Sequence, residues 1–400
     1  MTLDRRTLLK TSLAAVAPGA LWTTSARAAA AGVGDKELVL GTHLDLSGPV
    51  AIAMPVIRNG IQMRIDEANE AGGINGRKLR LVIEDNASQP SQAVRAVDKL
   101  IRKDEVFALL CPFGSGPNVA TVKKAVDAGV VCFAPYAASG LVRQAAGQTP
   151  LLFTTNLNYD STTSAAVKWA TGNLGSKKVG FIYQEGPFGD LVGKGVKAAL
   201  AAKGAPLAAE ASYKVGDLDF SSHVARMQAA GVDLIVCATT TRETIAVAAE
   251  VKKLGLAGVN VLTASPGRAG LTIALGKDAM EGVYGVGTWR IATPDQATAA
   301  EKSWAEGYRK RFKAEPDDVA AAFYDYTSWF LQEVRNAGRD LTTDKLVKAL
   351  QASTFKGVSS YDTQRFANNH IDPEWTRVEQ VVQGRWTARS SVVDPAKSAL

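Results

Sequence analysis

The sequence is poor in the residues on which disulfide frameworks and metal sites depend. Its 400 residues include only three cysteines, Cys111, Cys132 and Cys237. Their number is odd, and each one lies within an apolar, strand-like run. This pattern favours free buried thiols over a disulfide scaffold or a metal site.

Histidine is equally scarce, and the short motifs of common enzyme classes are missing. His43, His223 and His370 are far apart in the sequence, and none has the spacing of a metal site or a catalytic triad. The sequence contains neither a G-x-S-x-G elbow nor a Walker loop. An exported α/β enzyme is therefore the weaker hypothesis, and we expect no cofactor.

The chain also lacks a cluster of charge of one sign. Its formal net charge is +7, spread along the sequence without basic residues interleaved with aromatic ones. Nucleic acid is therefore not an expected partner. The apolar run Thr11–Trp22 is far shorter than the ~20 residues of a membrane-spanning helix.

The first residues instead have the pattern of an export signal. Asp4–Lys10 reads DRRTLLK, a twin-arginine motif, and the weakly apolar Thr11–Trp22 follows it. Ala26–Ala28 fits the small-x-small rule for signal-peptidase cleavage. We predict that residues 1–28 are a twin-arginine signal peptide and that the mature protein is soluble and periplasmic. Cleavage would remove four basic residues and one acidic residue and leave a net charge of +4.

The rest of the chain alternates between strand-like and helix-like segments. One series runs from Glu37 to Phe133 and a second from Leu151 to Thr263, both with short turns. Such alternation is typical of a parallel sheet covered by helices on both faces. Two series of similar size in 400 residues predict an α/β protein with two doubly wound parallel-sheet lobes.

One stretch of the first series has the features of a ligand site. Val106–Asn118 reads VFALLCPFGSGPN, an apolar strand, a glycine turn with Ser115, and Pro117 at the start of a helix. The first turn of a helix offers unpaired N–H groups at the edge where open α/β sheets bind ligands. The pattern fits a carboxylate pocket and, equally well, an ordinary turn with an N-capping serine.

Several segments together resemble the branched-chain amino-acid type of periplasmic solute-binding protein, the receptor of an ABC importer. The resemblance covers the chain from about Leu38 to Trp386. It is carried by Gly41–Pro49 (GTHLDLSGP), Asn69–Gly76 (NEAGGING), Glu84–Asn86, the Gly-Ser-Gly turn, Phe133–Pro135 and Phe188–Asp190. It implies a type I periplasmic-binding fold, in which three crossings connect the two lobes and make each lobe discontinuous.

The resemblance also implies domain limits and partners. The N-terminal lobe is expected to comprise residues 37–157 and 290–360, and the C-terminal lobe residues 158–289 and 361–389, with 390–400 as a tail. The expected partners of the monomer are a small-molecule ligand, namely an organic acid or amino-acid-like solute held by closure of the lobes, and a membrane permease. A ligand-sensing receptor that regulates without transport is the alternative function.

The ligand contacts implied by the resemblance come from both lobes. A ligand carboxylate is expected on Ser115, Gly116, Tyr136, Ala137 and Ala138. The other lobe is expected to contribute Phe188, Thr240, Ser265 and Arg268. Phe188 is expected to stack on the ligand, and packing within the lobe is the alternative for it.

The sequence departs from the amino-acid binders of this type in three places. Those proteins usually have a threonine at the position of Ala138, an aromatic residue within 239–241, and an acidic residue for the ligand ammonium at Ser265. A buried ammonium needs a carboxylate partner, whereas the loop after Ser265 supplies Arg268. We therefore expect an organic acid without an amino group rather than a plain α-amino acid.

Overall fold

The computed structural model describes residues 30–290 and 296–397, and the predicted signal peptide lies outside these residues. Across the described ranges, no helix has both the length and the apolar character needed to span a bilayer.

Strands and helices alternate through most of the described chain, as the sequence predicts. The strands are β1 (Glu37–Leu44), β2 (Lys78–Asp85), β3 (Ala108–Leu110), β4 (Val131–Phe133), β5 (Leu152–Phe153), β6 (Val179–Gln184), β7 (Ala209–Tyr213), β8 (Leu234–Ala238), β9 (Asn260–Thr263), β10 (Tyr284–Gly287), β11 (Thr354–Phe355), β12 (Gln364–Ala367), β13 (His370–Asp372), β14 (Arg377–Val382) and β15 (Arg385–Ala388).

The helices are α1 (Met54–Glu70), α2 (Pro90–Arg102), α3 (Ser115–Asp127), α4 (Ser139–Ala146), α5 (Tyr159–Asn173), α6 (Pro187–Ala201), α7 (Ser221–Ala229), α8 (Thr241–Lys253), α9 (Gly270–Gly276), α10 (Ala299–Phe312), α11 (Asp318–Asn336) and α12 (Thr343–Ala352). Short 3₁₀ turns lie at Ala51–Ala53, Ser265–Arg268 and Lys277–Met280.

The first lobe is built on a five-stranded parallel sheet in the order β2-β1-β3-β4-β5. Helices α1 and α11 contribute to the core on one face, and α2 and α3 contribute to the core on the other. Seven of the eight residues of β1 are therefore buried. This is the near-continuous apolar pattern that a strand covered on both faces requires.

The second lobe is built on a seven-stranded sheet in the order β15-β14-β10-β9-β8-β6-β7. Strands β6 to β10 run parallel to one another, and β14 and β15 extend the sheet in antiparallel pairing. All five residues of the central strand β8 are buried. The predicted pair of doubly wound α/β lobes is confirmed.

A small antiparallel sheet, β11-β12-β13, packs on the first lobe. The ring of Phe366 stacks on Trp329, with ring centroids 4.4 Å apart, and meets Phe153 edge-on at 5.0 Å. Residues up to about 372 therefore pack with the first lobe, whereas the sequence assigned 361–389 to the second. The limit differs because Phe366 is buried against a first-lobe core whose residues are distant in the sequence. The periodicity of the sequence does not reveal such a contact.

Polar contacts stabilise the three crossings between the lobes. The chain passes between the lobes after β5, after β10 and after β13. At the first and third crossings, Glu374 accepts hydrogen bonds from the Asn158 backbone at 2.9 Å and side chain at 2.6 Å. At the second crossing, the Trp289 indole donates to the Tyr326 hydroxyl at 2.8 Å. The start of the predicted tail is also docked, because Val393 pairs with Thr376.

We predict that the buried His43 on β1 makes the fold sensitive to acid. Burial lowers the pKa of His43 from 6.5 to about 4. Between these values the unfolded chain binds a proton that the folded chain does not, so stability falls as pH decreases. The loss should reach roughly 3 kcal/mol for the full interval. Urea unfolding at pH 7.0 and pH 4.5 measures it.

The control for this prediction is a histidine that is only partly buried. His43→Gln should flatten the dependence of unfolding free energy on pH, while His223→Gln, at a half-buried position on α7, should keep it. An unchanged pH dependence in the His43 variant would contradict the assignment.

Candidate ligand-binding site

A cavity of about 520 Å³ lies between the two lobes at the carboxyl ends of their parallel strands. Its walls are formed by the turns that follow β1, β2, β3 and β4 in one lobe and β6, β7, β8 and β9 in the other. This is the place where open α/β sheets bind ligands, and the volume lies within the usual range for ligand pockets.

The start of α3 forms the most polar part of the first-lobe wall. Gly114, at φ +99°, adopts a backbone conformation that favours glycine and turns the chain into the helix. The backbone N–H groups of Ser115 and Gly116 have no hydrogen-bond partner among the described residues. Two donors and the positive end of the helix dipole are therefore available at the cavity.

The Ser115 side chain does not cap its own helix. Its Oγ accepts a hydrogen bond from the backbone N–H of Ala138, at 2.9 Å, and so joins the start of α3 to the loop after β4. This contact excludes the N-capping serine that the sequence left open. Ala137 and Ala138 are buried behind the wall and do not line the cavity.

Tyr136 adds an aromatic surface and a hydroxyl to the same wall. Its ring packs edge-on against Phe113 and Phe323, with centroids 5.8 and 5.3 Å away. Burial raises the pKa of Tyr136 well above its usual value, so the hydroxyl stays protonated. In the described part of the chain this hydroxyl has no hydrogen-bond partner, which leaves it free to donate to a ligand.

The second-lobe wall contains two of the predicted residues. Phe188 lines the cavity, but its ring also packs edge-on against Tyr159 at 5.0 Å within the core of this lobe. Phe188 therefore borders the cavity and also packs within the core of its own lobe. Thr240 also lines the cavity, and its hydroxyl donates to Glu243 at 2.5 Å at the start of α8.

The structure places Ser265 and Arg268 away from the ligand cavity, in contrast to the expectation from sequence. Both are buried, and neither lines the cavity, which is bordered instead by their neighbours Pro266 and Ala269. The 3₁₀ turn directs Arg268 into the protein, where Gly285 leaves room for it. A Cβ atom at Gly285 would lie 2.8 Å from Cγ of Arg268.

Arg268 belongs to a buried charge cluster, which we define as Arg268, Asp317, Asp318, Arg377 and Glu379. The Arg268 guanidinium pairs with Asp318 and Glu379, and Glu379 also pairs with Arg377. Burial, together with the charge of Asp318, raises the pKa of Asp317 to about 7. Since Asp318 and Glu379 both pair with Arg268, this residue has no free positive charge to offer a ligand.

The interior of the cavity is mostly apolar. Residues that the sequence did not single out form much of its wall, among them Val50, Ala53, Val56, Val215, Leu271 and Val319. The charged side chains in the described lining are Glu185 and Lys214, both exposed at neighbouring ends of β6 and β7. No group of three or more His, Cys, Asp or Glu residues in the described ranges could hold a metal ion.

Two further polar or aromatic residues near the crossings and turns, Asp45 and Trp289, have structural roles. The Asp45 carboxylate accepts hydrogen bonds from the backbone of Gly48 and Val50 and from the Ser88 hydroxyl. It therefore shapes the turn before α1 and does not line the cavity. Trp289 likewise packs at the second crossing.

Comparison with known proteins agrees with this architecture. A family model described as periplasmic binding protein matches residues 37–383. A Leu/Ile/Val-binding protein from Rhizobium johnstonii is 30% identical over 200 residues, which are 50% of this chain and 53% of the relative. The chain thus matches about half the length of that relative.

Solved structures give the same fold at low identity. A solute-binding protein of an ABC transporter from R. palustris, in complex with benzoate, has a TM-score of 0.80 at 19% identity, covering 88% of this chain and 96% of that one. A fatty acid ABC transporter substrate-binding protein from Thermomonospora curvata has a TM-score of 0.79 at 22% identity, covering 92% and 96%. Since the family model spans nearly the whole described chain, this protein belongs to the periplasmic binding protein family, a family of solute-binding proteins rather than enzymes.

Proposed function

We propose that this protein is the extracytoplasmic substrate-binding component of an ABC importer and captures a small apolar organic acid between its lobes. The proposal rests on the presence of hydrogen-bond donors and an apolar wall in the same cavity. The start of α3 offers unpaired N–H donors, and the surrounding wall is mostly apolar. A monocarboxylate with a ring or a short hydrocarbon chain matches both.

The ligand carboxylate is assigned to the first-lobe wall. The N–H groups of Ser115 and Gly116, with the Tyr136 hydroxyl, provide three donors around one part of the cavity. Hydrogen bonds to an ionised acceptor are stronger than neutral ones, and the helix dipole adds to them. No cation inside the cavity is needed for this mode of binding.

An α-amino acid fits the cavity less well. The acidic side chain in the described lining is Glu185, which is exposed at the rim and accepts a hydrogen bond from Ser212. An ammonium group deeper in the cavity would lose its hydration without gaining a carboxylate. One solved structure of this fold is a complex with benzoate, and another is described as a fatty acid ABC transporter substrate-binding protein. Both support an acid without an amino group as the ligand class.

Closure of the lobes completes the proposed mechanism. The ligand binds the first lobe through its carboxylate, and contacts of its apolar part with Leu271 and Val215 then favour the closed state. A ligand shifts such an equilibrium only through its stronger binding to one state. The permease in the membrane recognises the closed, loaded form.

We predict that organic acids, not branched-chain amino acids, stabilise the protein. In a thermal-shift screen, benzoate and C4–C8 alkanoic acids should raise the melting temperature, because a ligand that binds only the folded state stabilises it. Leucine, isoleucine and valine should have little effect at the same concentration. The largest shifts with these amino acids would reverse the assignment of ligand class.

The Ser115 hydroxyl has no acceptor among the described residues, so we expect it to donate to the ligand carboxylate in addition to the backbone N–H groups. We predict that Ser115→Ala weakens binding of the best acid by about 1.5–3 kcal/mol, the range for a hydrogen bond to a charged group. The protein should still fold, with a loss of unfolding free energy of at most about 1–3 kcal/mol, because the buried N–H of Ala138 loses its acceptor. Isothermal calorimetry measures the affinity, and Ser222→Ala, at an exposed serine of α7, is the matched control. Equal affinities of both variants would exclude the Ser115 hydroxyl as a donor to the ligand and would leave only the backbone N–H groups of this turn.

We predict periplasmic delivery of the folded protein by the twin-arginine route. Replacing Arg5 and Arg6 with lysine should leave the precursor in the cytoplasm, because the route reads the arginine pair as a receptor signal. Cell fractionation follows the protein, with Arg27→Lys as a control that keeps the pair intact. Unchanged delivery of the double variant would indicate general secretion instead.

A further inference from the structure

Two carboxylates at the start of α11 connect the lobes beside the ligand cavity. Helix α11 packs on α1 in the first lobe, whereas α9 and the turn before it pack on α8 in the second. Asp318 pairs with the Arg268 guanidinium and accepts the backbone N–H of Gly270 at 2.9 Å. Asp317 accepts the N–H of Leu271 at 2.8 Å. All three contacts cross from one lobe to the other.

We infer that Asp317 and Asp318 form a clasp that stabilises the closed state and positions the apolar wall against the ligand. They are positioning residues, because neither lines the cavity. Their partners do border it: Ala269 and Leu271 from the second lobe and Val319 from the first. This inference rests on one part of the proposed function, namely that the lobes close when a ligand binds. It does not depend on which ligand that is.

Opening of the lobes would affect the charged residues of the cluster in different ways. Arg268 keeps Glu379 as a partner within its own lobe, and Glu379 keeps Arg377. The contacts of Asp317 and Asp318 with the second lobe would be lost if the lobes separated at this point. Opening would return both carboxylates to water while Arg268 stays paired. The bonds across the cleft therefore contribute to the difference between the closed and open states.

Gly270, at the start of α9, leaves room for the two carboxylates of the clasp. A Cβ atom added at Gly270 would lie 2.9 Å from Oδ2 of Asp317 and 3.1 Å from Oδ1 of Asp318. Its nearest neighbours are thus the two carboxylates of the other lobe. An alanine at this position would disturb the closed state and leave the second lobe itself intact.

The test compares substitutions that cross the cleft with one that does not. Asp318→Asn removes the charge of the clasp, and Gly270→Ala blocks the clasp from the opposite lobe. The control is Asp325→Asn, the same substitution on the same helix. Asp325 is also buried, and it accepts its hydrogen bonds from Val358 and Ser359, away from the second lobe.

We expect both clasp variants to bind the best acid of the screen about tenfold more weakly, mainly through faster dissociation. Small-angle scattering should show a larger radius of gyration for them than for the wild type and the control, at equal ligand concentration. Urea unfolding separates this effect from loss of stability. If Asp318→Asn does not fold, Gly270→Ala carries the test alone.

The outcomes separate the clasp from the proposed ligand class. Affinities and radii of both clasp variants equal to those of the Asp325→Asn control would overturn the clasp. If the wild type binds none of the acids, the proposed ligand class fails, and leucine becomes the probe for the same comparison. The clasp would also be overturned if the loss of affinity in all three variants is explained by the loss of unfolding free energy alone.

Discussion

Parallel pairing of the strands is the constraint on which the rest of the structure depends. In each lobe it brings the carboxyl ends of the strands, and the starts of the helices that follow, to one edge of the sheet. The two edges face each other across the cavity. The protein therefore surrounds an apolar space with positive ends of helix dipoles, and it does so without a buried cation in the cavity wall.

Side chains already satisfy several of these helix starts. Asp45 accepts N–H groups in the turn before α1, and Asp317 accepts the N–H groups of Leu271 and Val319 at the starts of α9 and α11. The start of α3 has no side-chain cap, and its N–H groups at Ser115 and Gly116 remain unpaired in the described chain. The starts of α6 and α8, which also line the cavity, likewise have no side-chain cap. The proposed carboxylate site at α3 therefore depends on the Tyr136 hydroxyl beside it as well as on the open helix start.

The sequence predicted what depends on local pattern and missed what depends on distant partners. Strand β8, which is buried throughout, reads as a continuous apolar run in the sequence, and the turn at Ser115 has its own glycine and proline signals. Arg268 was misplaced because its partners Asp318 and Glu379 lie 50 and 111 positions away. A loop arginine has the same local pattern whether it faces a ligand or a buried carboxylate.

The burial of the three thiols has a consequence for the proposed twin-arginine route. Burial raises the pKa of Cys132 to about 12 and that of Cys111 well above its usual value, so neither forms a thiolate once folded. If the chain is exported as proposed, translocation in the unfolded state would expose all three thiols, including Cys237, to an oxidising compartment in which mispaired disulfides form. Folding before translocation would prevent this damage. In the proposed route, the cysteine positions would thus give a chemical reason for folding before export.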